Sequence, residues 1–152
     1  MDDTDRAILR HLQADGRLPN AALAERVHLS PSPCLRRLKR LEDDGTIRGY
    51  RAILDRRRIG LGLTAFVEIK VSGQSRRRAD ELEKAIAEID EIIACYIVAG
   101  DADFMLEVVV PDLAAYEHLL LHRLLELPGV FDVSTNFAIR TVKEAGPLPL
   151  GP

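Results

Sequence analysis

Between Ile92 and Val110 the chain sets two short runs, Ile92 to Ala99 and Phe104 to Val110, separated only by Gly100-Asp101-Ala102-Asp103. Two strand-like runs joined by so short a turn are expected to pair as a hairpin. In the first run Ile93, Cys95 and Ile97 alternate with Ile92, Tyr96 and Val98. In the second, Phe104, Leu106, Val108 and Val110 alternate with Met105 and Val109. Both alternating sets are largely apolar, whereas an antiparallel sheet with one wet face alternates apolar with polar. The hairpin therefore belongs to a sheet that is covered on both faces.

The flanking segments say what covers one of them. Leu63 to Val71 alternates Ala65, Val67, Ile69 and Val71 with Thr64, Phe66, Glu68 and Lys70, a strand pattern. After a polar turn from Ser72 to Arg78, in which Arg76, Arg77 and Arg78 read as a solvated run, Leu82, Ala85, Ile86 and Ile89 recur at helical spacing. Pro111-Asp112 opens a second helix carrying Leu113, Tyr116, Leu119, Leu120 and Leu124. Pro128-Gly129 closes it, and Val130 to Thr141 supplies a last strand. The order βαββαβ is that of a ferredoxin-like sandwich with both helices on one side of the sheet. The other face then needs a second sheet, and in a chain of 152 residues that sheet is expected from another copy, in a twofold dimer.

The first sixty residues have a different character. Residues 1 to 62 hold 13 Lys and Arg against 9 Asp and Glu, net +4, while residues 63 to 152 hold 8 against 15, net −7. Summed charge speaks to partners rather than to fold, and this split points the first part toward a polyanion. A helix capped near Asp3 or Thr4 shows Ile8, Leu9 and Leu12 on one face and stops around Gly16. Asn20 caps a second, short helix with Leu23, Ala24 and Val27 inside. After His28-Leu29-Ser30, a third helix is capped by Ser30, takes Pro31 at its first position, and runs to about Asp44 with Leu35, Leu38 and Leu41 as its buried stripe. Subtracting that stripe leaves Ser32, Arg36, Arg37, Lys39 and Arg40 outward. Arg reaches phosphate oxygens or forks onto a guanine edge, so this is a helix-turn-helix with a groove-reading third helix. His28 falls where the turn favours positive φ, a conformation His adopts more readily than most side chains. From Thr46 to Leu54 an alternating segment reads as a short hairpin or wing, with Arg48 and Arg51 available to phosphate. In a twofold dimer the two basic helices meet paired DNA sites with half-sites about 34 Å apart or a multiple of it.

Several classes of function are excluded by what is missing. No run approaches the roughly 18 apolar residues of a membrane span, and the acidic start MDDTDRAILRHL is unlike a secretory signal, so the chain is expected in the cytoplasm. Cys34 and Cys95 form no disulfide framework and no CxxC pair. His118 and His122 stand four apart on a helix but have no third ligand nearby, so no metal site is expected. There is no GxSxG, P-loop or nucleophile–base set, so the chain reads as a binding protein and not an enzyme. Asp101 and Asp103 share a turn with Gly100, where backbone N–H groups beside two carboxylates suit both ends of an amino acid.

The residues that carry a family resemblance are DRAILRHLQAD from Asp5 to Asp15 with Gly16-Arg17, LSPSPCLRRLKRLEDDGTIRGY from Leu29 to Tyr50, the strand FVEIKV, CYIVAGDADFML from Cys95 to Leu106, and LPGVFDVST from Leu127 to Thr135. In this order and spacing, from about Asp3 to Val142, the chain resembles the Lrp/AsnC transcription regulators, and within them the leucine-responsive members. The resemblance implies an α+β chain: a winged helix-turn-helix DNA-binding domain at residues 1–54, a linker at 55–62, a ferredoxin-like ligand-sensing and oligomerisation domain at 63–142, and a flexible tail at 143–152. It implies Ser30, Ser32, Pro33, Arg36, Arg37, Lys39, Arg40 and Arg48 at double-stranded DNA. It also implies an amino-acid effector, leucine or another apolar one, at Gly100, Asp101, Asp103, Leu113, Thr135 and Asn136, where sensing domains of neighbouring dimers meet. No other cofactor is implied. Dimers of such proteins assemble into tetramers or octamers. Where the family often carries an aromatic between the two acids this chain has Ala102, which changes the volume of the pocket. Two alternatives stand beside this reading: an architectural protein that compacts DNA with little sequence preference, and an enzyme or regulatory subunit built on the ferredoxin-like half.

Overall fold

The computed structural model describes residues 1–72, 76–144 and 146–151, and for residues 76–78 the backbone alone. The expected polar turn and arginine run therefore lie largely outside the described side chains. The chain divides into two compact units, Met1–Ile53 with the segment from Val142 onward, and Leu54–Thr141.

In the first unit α1 spans Asp3–Ala14. Its cap is Asp2, one residue ahead of the expected Asp3 or Thr4. The Asp2 carboxylate accepts from the Asp5 N–H at 2.9 Å while the Asp5 carboxylate accepts from the Asp2 N–H at 3.0 Å, a reciprocal box that uses two otherwise orphan donors. Helix α2 spans Asn20–Arg26, with Pro19 and not Asn20 at the cap. The Asn20 amide instead donates to the Pro31 carbonyl at 3.0 Å and ties α2 to the start of α3, Pro31–Asp43. Between them His28 sits at φ 54, the left-handed conformation expected of this turn.

The stripe of α3 differs from expectation in one position. Cys34 and Leu41 are buried and Leu38 is packed half-buried against the same core, whereas Leu35 is 40% exposed. Positions 34, 38 and 41 follow steps of four and three, close to the 3.6-residue period. Positions 35, 38 and 41 step by three twice and drift around the helix. Ile8, Leu9, Leu23, Ala24 and Val27 complete this core. From Thr46 to Leu54 no strand forms; the Ile47 N–H bonds the Leu41 carbonyl at 2.8 Å and the Tyr50 hydroxyl donates to Glu42 at 3.0 Å. With no second strand beside it, the expected hairpin is not made.

The second unit has the expected order. It holds β1 (Leu63–Val71), α4 (Arg76–Ala87), β2 (Ile92–Ile97), β3 (Phe104–Val110), α5 (Leu113–Leu119) continued by a π-helical turn at Leu120–Leu124, and β4 (Val130–Phe137). The sheet runs β2-β3-β1-β4 with every neighbouring pair antiparallel. Asp112 caps α5 by accepting from the Ala115 N–H at 2.9 Å. Strands β2 and β4 end earlier than expected, at Ile97 and Phe137.

Leu82, Ile86 and Ile89 of the α4 region and Tyr116, Leu119 and Leu124 of the α5 region pack on Ala65, Val67, Ile69, Leu106 and Val108. Both helices thus lie on one face, as the βαββαβ order requires. The opposite face is more mixed than the hairpin alone suggests. Register places Glu68 beside Met105 and Phe66 beside Glu107, with Tyr96 next to Met105. Phe66 and Tyr96 are left exposed, 40% and 60%.

Candidate functional site

Helix α3 presents two kinds of basic side chain, and one buried carboxylate separates them. Asp5 is 1% exposed and is the sole charged residue among the described buried ones. Its carboxylate accepts from Arg37 at 2.9 Å and from Arg40 at 2.6 Å, besides the Asp2 N–H. Arg37 also donates to Asp2 at 2.6 Å. The N-terminus of α1, whose free N–H groups and dipole favour negative charge, thus holds one flank of α3 through two guanidinium groups one turn apart.

The same contacts set the acidity of these groups. The Asp2 carboxyl is lowered to about 2 by the Asp5 N–H and then by the Arg37 guanidinium. At Asp5 burial pushes upward, but the Asp2 N–H and Arg37 outweigh it and the carboxyl stays below its ordinary range. Arg37 is raised by its bonds to Asp2 and Asp5.

Of the DNA-contact candidates, Arg37 and Arg40 are therefore occupied within the unit. Ser32, Arg36 and Lys39 are not. They stand at steps of four and three on the side opposite Cys34, Leu38 and Leu41, all exposed, and Arg36 and Lys39 bond to no other described residue. Ser30 and Ser32 are exposed at the start of α3 beside half-buried Pro33, and Arg48 is exposed on the segment that follows. Asp2 and Asp5 escape a reading of the sequence because acids in a first helical turn already have a local use. The one available signal is Arg37 and Arg40 spaced to share a single partner.

The effector candidates spread over the second unit. Gly100 has φ 145, which favours glycine, and the Val98 N–H closes the turn on the Asp103 carbonyl at 3.0 Å. Asp103 is built into the end of β1: its N–H bonds the Ile69 carbonyl at 3.0 Å and its carboxylate accepts from the Val71 N–H at 2.8 Å. Asp101 is exposed and Ala102 is buried. Leu113, 62% exposed, lies beyond the far end of β3, whose Val110 pairs with Leu63. A strand of this length spans about 20 Å. Thr135 and Asn136 are consecutive on β4 and so project to opposite faces; the Thr135 hydroxyl shares a short hydrogen bond with the Tyr116 hydroxyl on the helix side. The single chain gathers Gly100, Asp101 and Asp103, and it does not gather Leu113 or Asn136 with them.

A groove of about 420 Å³ that the sequence did not announce opens between α4 and β2. It is lined by Ile86, Ile93, Cys95, Ile97 and Phe104 with Glu83 at hand, and Ile97 and Phe104 form the last strand pair before the hairpin turn. A register shift between Ile92 and Ala94 places Cys95 and Ile97 on the helix side of the sheet. Both cysteines are free; burial raises the thiols of Cys34 and Cys95, the latter also under the influence of Glu83. Among the described residues no group of three His, Cys, Asp or Glu side chains is placed to hold a metal ion. No helix among them is long and apolar enough to cross a membrane.

Comparison with known proteins places these features in a family. Residues 64–148 match the model of the Lrp/AsnC ligand binding domain, and residues 1–48 match a winged helix-turn-helix DNA-binding model. The leucine-responsive regulatory protein of Escherichia coli K12 is 42% identical over 148 residues, covering 97% of this chain and 90% of the relative. A Neisseria meningitidis transcriptional regulator solved as an L-methionine complex superposes with TM-score 0.94 at 39% identity, covering 99% of this chain and 97% of the other. The leucine response regulatory protein of Mycobacterium tuberculosis gives 0.81 at 33% identity, covering 95% and 96%.

Proposed function

Because this chain belongs to the Lrp/AsnC family of DNA-binding transcriptional regulators, we propose that it reads a paired DNA site with Ser32, Arg36 and Lys39 of α3 and that an amino acid bound to its sensing unit biases that binding. The observation that carries the first half is the free stripe on α3, set directly opposite the helix's buried side and steadied by Asp5. A side chain with no partner in the protein can spend its hydrogen bonds on a base edge; one already paired to a buried carboxylate cannot. Arg48 and Arg51 serve phosphate, which fixes register without sequence information. Two copies, paired through the helix-free face bearing Phe66, Met105 and Tyr96, bring two such helices to one site.

The effector is an amino acid with an apolar side chain, as in the L-methionine complex of the Neisseria relative. In this reading the backbone of the Gly100–Asp103 turn and the Asp101 carboxylate take its charged ends, and the α4–β2 groove, ample for a small ligand, seats the side chain. Leu113 and Asn136, with Thr135 next to Asn136 on β4, join from a neighbouring copy, since one chain does not gather Leu113 or Asn136 with the turn. A ligand that bridges copies binds one assembly better than another, and such differential affinity is what a shift of population requires. The protein acts by binding, in the cytoplasm, and uses no further cofactor.

Calorimetry of the protein against the twenty amino acids, with sizing in parallel, tests this. At least one apolar amino acid binds and changes the assembly state or the ratio of specific to nonspecific DNA affinity; twenty silent titrations would refute the effector reading. Asp103→Ala loses about 1 kcal/mol from the bond at Val71 but still folds and binds DNA, while its response to that amino acid weakens at least tenfold. A response curve equal to wild type would show that the Asp103 carboxylate neither contacts the ligand nor sets the turn that does.

A further inference from the structure

The C-terminal segment reads as a flexible tail, and three of its described residues, Leu148, Leu150 and Gly151, contact the first unit. The side-chain amide of Gln13 donates to the Leu148 carbonyl at 3.2 Å, and its oxygen accepts from the Leu148 N–H at 2.5 Å. Three residues earlier on the same face of α1, Arg10 donates to the Gly151 carbonyl at 2.9 Å. Leu150 is half-buried and joins Leu12 and Leu18 among the side chains packed against the core of the first unit.

The composition of the segment explains why one side chain suffices. In Pro147-Leu148-Pro149 the prolines have no N–H, so Leu148 holds the only donor of the three and no strand ladder can form. A primary amide carries one acceptor and two donors, and so satisfies both backbone groups of Leu148 at once. The prolines also fix their own φ, which lowers the entropy lost when the segment is ordered.

We propose that the outer face of α1, with Gln13 as a two-point clamp and Arg10 beside it, is a docking site for an extended proline-rich peptide, occupied here by the chain's own Pro147–Gly151. Occupancy in cis needs little intrinsic affinity, because a tethered segment is present at an effective concentration of order millimolar. The consequence falls on α1, the helix that holds α3 through Asp5. The docked segment is a removable brace of the DNA-binding unit, independent of any effector.

The test compares the full chain with a chain ending at Glu144, with Gln13→Ala, and with both changes together, by thermal melting and by hydrogen exchange of the α1 amides. Truncation and Gln13→Ala each lower the melting midpoint of the first unit by about 4 °C or more, and speed exchange in α1. The double change is no worse than truncation alone, since Gln13 has then lost its partner. A truncated chain that melts and exchanges like the full chain overturns the proposal, and so does an additive double change. Mixing the truncated chain with the Gln13→Ala chain restores neither; recovery on mixing would show the segment docking on a second copy and overturn the cis arrangement.

Discussion

Asp5→Ala lowers the stability of the DNA-binding unit by about 2–3 kcal/mol, which for a unit of this size is a fall of about 10 °C or more in its melting midpoint. The carboxylate is 1% exposed and takes three hydrogen bonds, two of them from guanidinium groups. Removing one partner of a buried pair costs most when the other is left as an uncompensated buried charge. Here the guanidinium side chains of Arg37 and Arg40 are 31% and 55% exposed and turn to water, so the loss stays below that limit. Asp5→Asn keeps the shape and one acceptor, and falls between wild type and Ala. Calorimetric melting of the three proteins checks the order, and equal midpoints would show that the network does not hold α3.

The same carboxylates make that unit acid-labile. Asp2, at about 2, and Asp5, also lowered, both lie below the ordinary carboxylate value near 3.9 of an unfolded chain. A group whose folded pKa is depressed contributes stability that is complete above the unfolded value and is lost as pH falls through the folded one. The melting midpoint of the first unit is therefore flat above pH 5 and drops between about pH 4 and pH 2, and Asp5→Ala flattens that drop. An acid profile unchanged by the substitution would mean that other groups set it.

What sequence alone reveals here divides along a physical line. Local signals were legible: Ser30-Pro31 marks the start of α3, His28 takes the positive φ of its turn, and Pro111-Asp112 marks the start of α5. Each is decided within a few residues. The alternation of β1 and the helical spacing of Leu82, Ile86 and Ile89 also suffice for the sheet and its helices, because burial selects one face over many positions. The exact face of α3 was not legible, since Leu35 and Cys34 are both apolar and only the packed neighbours decide between them.

Contacts across the chain explain the other differences. Asp5 meets Arg37 32 positions away, and Leu148 meets Gln13 135 away. A Pro-Leu-Pro-Leu segment has the composition of a loose end until a matching amide lies beside it. The α4–β2 groove depends on a bulge in β2 that turns Cys95 and Ile97 to the helix side, which strict alternation does not foretell. The dispersal of Leu113 and Asn136 from the Gly100–Asp103 turn follows from strand length and pleat, so it appears only when register is known.

Arg36→Ala and Arg37→Ala, adjacent substitutions of the same residue type, are expected to fail in different ways. Arg36 is exposed, bonds to no other described residue and lies on the free side of α3 with Ser32 and Lys39. Its loss leaves the melting midpoint within a degree or two of wild type. It weakens binding to the preferred DNA site by about 1–3 kcal/mol, roughly 5- to 150-fold, if the guanidinium forks onto a guanine, while nonspecific binding falls far less. Arg37 bonds Asp2 and Asp5. Its loss lowers the melting midpoint and loosens α3 as a whole, so specific and nonspecific DNA weaken together and base preference is retained. Two measurements on each variant, a thermal melt and the ratio of specific to nonspecific affinity at fixed salt, separate the two. If Arg36→Ala preserves that ratio, or if Arg37→Ala alters it without moving the melt, the assignment of reader and support on α3 is reversed.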